Sequence, residues 1–141
     1  MAIVIDANLL VVLINGDPRG EQVLTQLTDP IEQGIPLHAP ELATYEVANS
    51  LTRSIVAKTF SPDDLPAAWA FLSDLPITYH PLSQGTRVVE IALNLRRNNA
   101  YDAAYLALAE SLGAELWTLD GPLYRNAAGL GFAVRLLGEV P

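Results

Sequence analysis

Short apolar runs alternate along the chain with longer segments in which apolar residues recur at helical spacing. The first run, Ala2–Ile5, is β-branched throughout its core, as expected of a strand buried on both faces of a sheet. Further short runs predict strands at Pro36–Ala39, Ile77–Tyr79, Glu115–Leu119 and Phe132–Leu136. The segments between them predict helices at Leu9–Ile14, Glu21–Thr28, Glu41–Ala57, the segment carrying Trp69 and Phe71, Thr86–Arg97, Ala100–Leu112 and Leu123–Ala128.

Strands that alternate with helices indicate an α/β fold, in which helices cover both faces of a parallel sheet. The predicted order is βααβααβααβαβ. Ten prolines and nine glycines are scattered between the periodic segments, and the chain contains no internal repeat. We therefore expect one compact domain over residues 1–141.

Two of the predicted helices have more specific signals. In helix 41–57 the spacing predicts one apolar face, formed by Leu42, Tyr45, Ala48, Leu51 and Ile55. The next helix begins with an N-cap, Ser61, followed by Pro62 and two acids, which is typical of a helix N-terminus.

Composition narrows the cellular setting. Half of the residues are apolar, the mean hydropathy is +0.25, and there is no cysteine, which excludes disulfides and thiolate metal sites. The N-terminal apolar run is too short and not basic enough for a signal peptide, and no stretch is long enough to cross a bilayer. We expect a soluble cytoplasmic protein with no membrane association.

The net charge of −8, from 16 acidic and 8 basic residues, bears on possible partners. Proteins that bind long nucleic acids by neutralising phosphates are usually basic, so this charge counts against extended duplex binding. It does not exclude a nuclease, because bound divalent cations reverse the local field. An acidic surface also favours a basic protein partner.

Four acidic residues from distant segments are candidates for one site. Asp6 follows the first predicted strand and Asp120 follows the fourth, whereas Asp102 lies in the first turn of the alanine-rich helix and Glu46 inside an earlier one. Sites on parallel sheets form beyond the carboxyl ends of strands, so we expect these acids to converge at one sheet edge. The only lysine, Lys58, is not placed to neutralise them.

Such a cluster predicts a divalent metal site. Carboxylates packed together raise one another's pKa and are unfavourable unless a cation joins them. Hard oxygen ligands suit Mg²⁺ or Mn²⁺, which orient phosphodiesters and lower the pKa of bound water. Taken singly, each acid also has a structural interpretation: Asp6 or Asp120 could cap a helix, Asp102 could favour a helix N-terminus, and Glu46 could belong to a solvated face.

Four short motifs resemble one known family. They are Ile3–Asn8 (IVIDAN), Tyr45–Asn49 (YEVAN), Asp102–Ala109 (DAAYLALA) and Leu116–Asp120 (LWTLD). In this order and spacing they resemble the PIN-domain nucleases, and within them the VapC-type ribonuclease toxins of prokaryotic toxin–antitoxin pairs. The resemblance covers nearly the whole chain.

The resemblance implies a five-stranded parallel sheet and a metal-dependent endoribonuclease. In that family the acids matching Asp6, Glu46, Asp102 and Asp120 are catalytic and bind Mg²⁺ or Mn²⁺. Cleavage of the RNA substrate would leave 5′-phosphate and 3′-hydroxyl ends. The resemblance also implies a homodimer formed through the helical region that includes residues 41–57, and an antitoxin partner whose basic tail blocks the active site.

Four further residues are candidates for supporting roles. Asn8 could orient Asp6 or a metal-bound water, although capping its own helix is the preferred interpretation. Thr118 matches a family hydroxyl that could hydrogen-bond a ligating carboxylate. Asn49 and Arg53, one and two helical turns beyond Glu46, could contact substrate phosphate. By contrast, His38 and His80 lie at strand ends and are interpreted as structural.

Other protein classes fit less well. A haloacid-dehalogenase-like phosphatase needs an acid two residues after Asp6, where this chain has Asn8, and also a late lysine. A phosphorylation-receiver domain needs an aspartate ending the third strand, where this chain has His80. The stronger alternative is a PIN-like scaffold that binds RNA or protein without cutting, and the complete set of carboxylates argues against it.

Overall fold

The computed structural model describes residues 1–138, with five short strands in one parallel sheet; residues 139–141, the end of the predicted domain, lie outside the described range. The strands are β1 (Ile3–Ile5), β2 (Leu37–Pro40), β3 (Ile77–His80), β4 (Glu115–Thr118) and β5 (Val134–Leu136). Their order across the sheet is β3-β2-β1-β4-β5, and each neighbouring pair is parallel. The predicted five-stranded parallel α/β fold is therefore confirmed.

The predicted helices are also present, with small shifts in their ends. They are α1 (Ala7–Ile14), α2 (Gly20–Glu32), α3 (Leu42–Val56), α4 (Leu65–Asp74), α5 (Gly85–Asn94), α6 (Tyr101–Leu112) and α7 (Gly121–Gly129). A single 3₁₀ turn, Pro62–Asp64, leads into α4, and the Ser61 hydroxyl accepts a hydrogen bond from the Asp63 amide as its predicted N-cap. Within residues 1–138 no helix combines the length and apolar character needed to span a membrane.

The strand order determines which helices share a face. Because parallel crossovers are right-handed, the steps from β1 to β2 and from β2 to β3 place α1–α4 on one face. The chain then returns past β1 to β4 and on to β5, which places α5–α7 on the opposite face. Consecutive residues of β1 point to opposite faces, and Ile3, Val4 and Ile5 are all fully buried. Both faces are thus covered, and the order reverses between β1 and β4.

The predicted apolar face of α3 is partly wrong. The buried residues of this helix are Ala43, Val47 and Leu51, which lie four residues apart, whereas Tyr45 is 75% exposed. The small side chains of Ala43 and Val47 fit the close approach of α3 to α1 and β2, where a tyrosine ring would not. Of the residues predicted from the sequence only Leu51 is buried, whereas Leu42, Ala48 and Ile55 are partly exposed and Tyr45 faces solvent.

Candidate active site

A cavity of about 340 Å³ lies where the sheet order reverses, beyond the carboxyl ends of β1 and β4. Parallel sheets bind their ligands at such a switch point because the neighbouring loops diverge there. The cavity brings together the side chains of the predicted carboxylates: Asp6, Glu46, Asp102 and Asp120. Asp6 and Asp120 follow the ends of β1 and β4, and Glu46 and Asp102 lie in α3 and α6, so only the folded chain places them side by side.

Asp6 is the most buried of these acids, with only 9% of its surface exposed. It occupies the N-cap position of α1, but its side chain makes no capping hydrogen bond, so the simple capping interpretation is wrong. The pKa of Asp6 is raised to about 7, chiefly by burial and in smaller part by the charges of Glu46 and Asp102, against the lowering effect of the hydrogen bond from Thr118. The site therefore favours either a proton or a cation on this carboxylate.

Thr118 on the neighbouring strand β4 and Asn8 in the first turn of α1 hold Asp6 in place. The Thr118 hydroxyl, which is fully buried, donates to Asp6 Oδ2 over 2.8 Å and accepts from the Asp120 amide over 3.0 Å. The Asn8 amide donates to Asp6 Oδ2 and to Thr118 Oγ1, each over 3.2 Å, while Asn8 Oδ1 accepts from the Leu119 amide. Asn8 thus ties the ends of β1 and β4 together, and its preferred interpretation as a helix cap is wrong.

Glu46 is fixed from the other face of the sheet by a tyrosine of α6. The Tyr105 hydroxyl donates to Glu46 Oε1 over 2.6 Å, and the Tyr105 ring is almost completely buried. Burial, followed by the charges of Asp6 and Glu46, raises the pKa of Tyr105, so its hydroxyl stays protonated and acts as a donor. Burial and the charge of Asp102 raise the pKa of Glu46, whereas the Tyr105 hydrogen bond lowers it.

The remaining two acids lie near helix N-termini, as predicted. Asp120 caps α7, since its Oδ1 accepts from the Leu123 amide over 3.0 Å, so it combines a structural role with its position in the cavity. Asp102 stands in the first turn of α6, and Arg97 Nη2 lies 4.0 Å from its Oδ2. Burial and the charge of Asp120 raise the pKa of Asp102, while Arg97 opposes this shift.

The predicted substrate contacts, Asn49 and Arg53, lie at different distances from the acids. Arg53 lines the acidic cavity itself. Asn49 does not; it lines an adjoining cavity that shares Glu46 and Arg53 with the first. Both side chains are exposed on α3, so they are accessible to a ligand. The structure thus places Arg53 in the candidate site and Asn49 beside it.

The donor set fits a hard divalent cation that keeps part of its water shell. Among the described residues no three acidic or histidine side chains stand close enough to form a ready-made coordination set. Mg²⁺ generally retains several waters and binds proteins through one or two carboxylates, so a complete protein cage is not required. Three of the carboxyls, on Asp6, Glu46 and Asp102, have pKa values raised by the charge of another acid in the cavity, which a bound cation would offset.

Three features of the site were not predicted from the sequence. Tyr105 lies in the quoted DAAYLALA motif, one turn beyond Asp102, and this helical spacing was the available signal. Arg97 ends the segment that leads to Asp102, but nothing in the sequence brings its side chain to that acid. The Asp17–Arg19 ion pair also lines the cavity, with two guanidinium contacts of 2.9 and 3.1 Å, and depends on the fold of the loop between α1 and α2.

The two histidines lie away from the acids and contact each other. His38 Nδ1 and His80 Nε2 are 2.8 Å apart across β2 and β3, consistent with their predicted structural role. Burial and the neighbouring His80 lower the pKa of His38. These side chains therefore connect two strands at the side of the sheet remote from β4.

Comparison with known proteins agrees with the fold and with the sequence resemblance. The sequence profile of the PIN domain family matches residues 3–129. Ribonuclease VapC3 of Pyrobaculum aerophilum is 34% identical over 128 residues, which cover 87% of this chain and 92% of the relative.

Solved structures show the same fold at lower identity. VapBC2 from Rickettsia felis, bound to a DNA fragment from its promoter, has a chain that superposes with a TM-score of 0.73 at 13% identity, covering 96% of this chain and 98% of that one. A toxin–antitoxin complex from Klebsiella pneumoniae gives a TM-score of 0.60 at 19% identity, with 96% of each chain covered.

Proposed function

The chain belongs to the PIN domain family, in its VapC group, and we propose that it is a Mg²⁺- or Mn²⁺-dependent endoribonuclease acting as the cytoplasmic toxin of a type II toxin–antitoxin pair. One observation carries this proposal: carboxylates from four distant segments line a single cavity at the switch point of the sheet. The fold alone supports many activities, so the activity is argued from this site.

The proposed catalytic residues are Asp6, Glu46, Asp102 and Asp120, which would hold the metal. Bound there, Mg²⁺ or Mn²⁺ would supply Lewis-acid chemistry to an RNA phosphodiester by polarising its oxygens and offsetting charge on the departing oxygen. Thr118 and Asn8 orient Asp6, and Tyr105 orients Glu46, so these carboxylates present fixed oxygens.

Arginine side chains at the cavity edge would contribute to binding RNA. Arg53 lines the cavity and is exposed, so its guanidinium can bind a phosphate of the substrate, with Asn49 one turn away. Arg97 approaches Asp102 to 4.0 Å and partly offsets the negative charge that would otherwise repel RNA. This arrangement reconciles a net charge of −8 with a nucleic-acid substrate.

Removal of a carboxylate tests the proposal directly. Asp6→Ala and Asp102→Ala should each lower the rate of RNA cleavage by at least ~10²-fold, the upper range seen when metal-ligand geometry is disturbed. Asp29→Asn, an exposed acid on α2, is the matched control and should cleave at the wild-type rate. Excess EDTA should abolish cleavage, and added Mn²⁺ should restore it. Undiminished cleavage by either alanine variant, or in EDTA, would contradict the assignment.

An antitoxin with a basic tail is the proposed protein partner. The Klebsiella pneumoniae chain that shares this fold is part of a toxin–antitoxin complex. An arginine entering the acidic cavity would pair with its carboxylates and compete with substrate, which accounts for inhibition without a change of fold. An antitoxin whose basic residues are replaced should then lose inhibition; full inhibition by that variant would contradict the blocking mechanism.

A homodimer through the α3–α4 region is part of the same proposal. Val56 at the end of α3 is 79% exposed, and Phe71 on α4 is 38% exposed, so both present apolar surface to a partner. Trp69 instead packs against the core, so less of its surface is available to a dimer interface. Light scattering at micromolar concentration should give twice the chain mass, and a monomer would contradict this part.

A further inference from the structure

A second cavity adjoins the acidic one and has a different lining. It measures about 450 Å³, within the range of pockets that bind small molecules, and is lined by Leu42, Tyr45, Glu46, Asn49, Arg53 and Tyr101. Glu46 and Arg53 line both cavities, so the two spaces adjoin each other. Whatever occupies the second cavity therefore lies next to the carboxylates.

The two tyrosines distinguish this cavity from the rest of the surface. Tyr45 is 75% exposed and Tyr101 is 58% exposed, although both rings are large enough to fill a core position. Each directly precedes one of the site carboxylates in the sequence, Glu46 and Asp102, and comes from a different helix. Two accessible aromatic rings thus border one cavity at the edge of the candidate active site.

The lining matches the chemistry of an unpaired nucleotide. Proteins recognise single-stranded RNA by stacking its bases on aromatic side chains and by hydrogen bonds to the base edges. The tyrosine rings offer the stacking surface, and the Asn49 amide offers both a donor and an acceptor for a base edge. Arg53, which lines both cavities, is placed to bind the phosphate that joins this nucleotide to the scissile one.

We propose that the cavity bordered by Tyr45 and Tyr101 is a nucleobase subsite, which holds one unpaired base of a single-stranded RNA next to the cleaved phosphodiester. This inference rests on the proposed ribonuclease function and adds a determinant of which RNA positions are cut. It follows that the enzyme favours unpaired segments, because a base within a duplex must first be unpaired and unstacked, at an energetic cost, before it can reach the tyrosines.

A neighbouring apolar cavity makes the choice of ligand clearer. It shares Leu42 and Tyr101 with the tyrosine cavity and continues over Leu82 and Val88. Its lining is mostly aliphatic, which suits a protein side chain better than a base edge. The tyrosine cavity instead combines ring faces with Asn49, Glu46 and Arg53, so an RNA base fits it better than an apolar protein segment does.

A base-specific probe tests the subsite in the full-length protein. Single-stranded RNAs about ten nucleotides long carry 2-aminopurine at one position each. The protein is titrated into each RNA in a buffer that contains Ca²⁺ in place of Mg²⁺. Stacking on a tyrosine quenches 2-aminopurine fluorescence, and we expect the quenching to be confined to one or two adjacent positions in the wild-type complex.

Substitutions then assign that signal to the tyrosines. Tyr45→Ala and Tyr101→Ala should weaken binding by about 5- to 150-fold, the effect of removing a base–aromatic stack, and should abolish the position-specific quenching. Tyr45→Phe and Tyr101→Phe keep the ring and should retain both. Leu93→Ala, which removes an exposed side chain from α5, is the control and should behave as wild type. Unchanged melting temperatures establish that the variants are folded.

Each alternative outcome counts against the subsite. If the wild type cleaves RNA but the alanine variants bind and quench like the wild type, the subsite is wrong while the ribonuclease function stands. If these variants instead alter only self-association or antitoxin binding, the tyrosines belong to a protein interface and the subsite is again wrong. If the wild type neither binds nor cleaves RNA, both the subsite and the proposed function fall.

Discussion

Asp6 and Asp17 line the same cavity, yet the pKa values of their carboxyl groups are shifted in opposite directions. Burial raises the pKa of Asp6 to about 7, and its neighbours include two further acids. The guanidinium and the backbone amide of Arg19 both donate hydrogen bonds to the Asp17 carboxylate, and they lower the pKa of Asp17 to about 2. The charge of Asp17 is therefore offset by a cationic side chain, whereas the hydrogen-bond donors to Asp6 are neutral.

This contrast distinguishes a carboxylate that is available to bind a metal, Asp6, from one that stabilises the loop at the cavity edge, Asp17. Asp6 is held by Thr118 and Asn8, which are neutral donors and leave its charge uncompensated. Asp17 is held by the Arg19 guanidinium, which fixes the loop between α1 and α2. This guanidinium already offsets the negative charge of Asp17. A buried acid supported only by neutral donors is the arrangement expected where a metal supplies the missing charge.

The largest expected effect follows from the titration of Asp6. Its pKa is higher in the folded chain than its ordinary value of 3.8, so the folded state binds the proton more tightly. The metal-free protein should therefore lose stability as the pH rises from about 4 to about 7. Asp6→Asn removes this titration, and by pH 8 it should be more stable than the wild type by on the order of 1–4 kcal/mol. Thermal melts at pH 5 and pH 8 in EDTA measure the difference.

Added Mn²⁺ provides the control for that measurement. At pH 8 it should raise the melting temperature of the wild type and have much less effect on Asp6→Asn, because mass action stabilises only the form that binds the ion. A difference between the two proteins that does not change between pH 5 and pH 8 would refute the proposed cost of the Asp6 charge.

Thr118→Val should have the next largest effect, because it tests whether neutral donors suffice to hold Asp6. Valine has a similar shape but leaves the Asp120 amide without its acceptor and Asp6 without its 2.8 Å donor. We expect a loss of about 1–3 kcal/mol in the free energy of unfolding. Metal affinity and cleavage should fall about 10- to 100-fold. Thr52→Val, which replaces an exposed threonine of α3, is the matched control. Equal behaviour of the two variants would show that Thr118 is only a strand residue.

The sequence allowed the acids to be predicted but not the groups that determine their charge. Asp6 and Asp120 follow predicted strands directly, so strand periodicity and the switch-point rule were enough to bring them together. The Thr118 hydroxyl lies in the strand itself, and the family resemblance predicted a hydrogen bond to a ligating carboxylate, which the structure identifies as Asp6. Tyr105 and Arg97 act across helix packing, which depends on side-chain directions that one-dimensional spacing does not contain.

Helix α3 shows the same limit in the core. The helical spacing of apolar residues predicted that Tyr45 and Leu51 share one buried face, although in the structure Leu51 is buried and Tyr45 is exposed. The small residues Ala43 and Val47 complete the buried stripe because α3 packs closely on its neighbours. Helix existence and ends were thus predictable from local signals, whereas the buried face depended on which elements it packs against.

The smallest expected effect is that of Asp17→Asn, the counterpart of Asp6→Asn at the edge of the cavity. The Asp17–Arg19 pair is largely solvent-accessible, so salt and water screen it and its loss should lower the free energy of unfolding by less than ~1 kcal/mol. Because the lowered pKa of Asp17 lies near 2, its contribution is complete above the ordinary value of 3.8 and is lost only as the pH falls towards 2. Between pH 5 and pH 8 the difference from the wild type should therefore stay constant, whereas that of Asp6→Asn grows. High salt should reduce the stability difference between Asp17→Asn and the wild type, because salt screens exposed ion pairs. Melts over this pH range at two salt concentrations check both points, and a pH-dependent difference of several kcal/mol for Asp17→Asn would show that the two carboxylates share one electrostatic role.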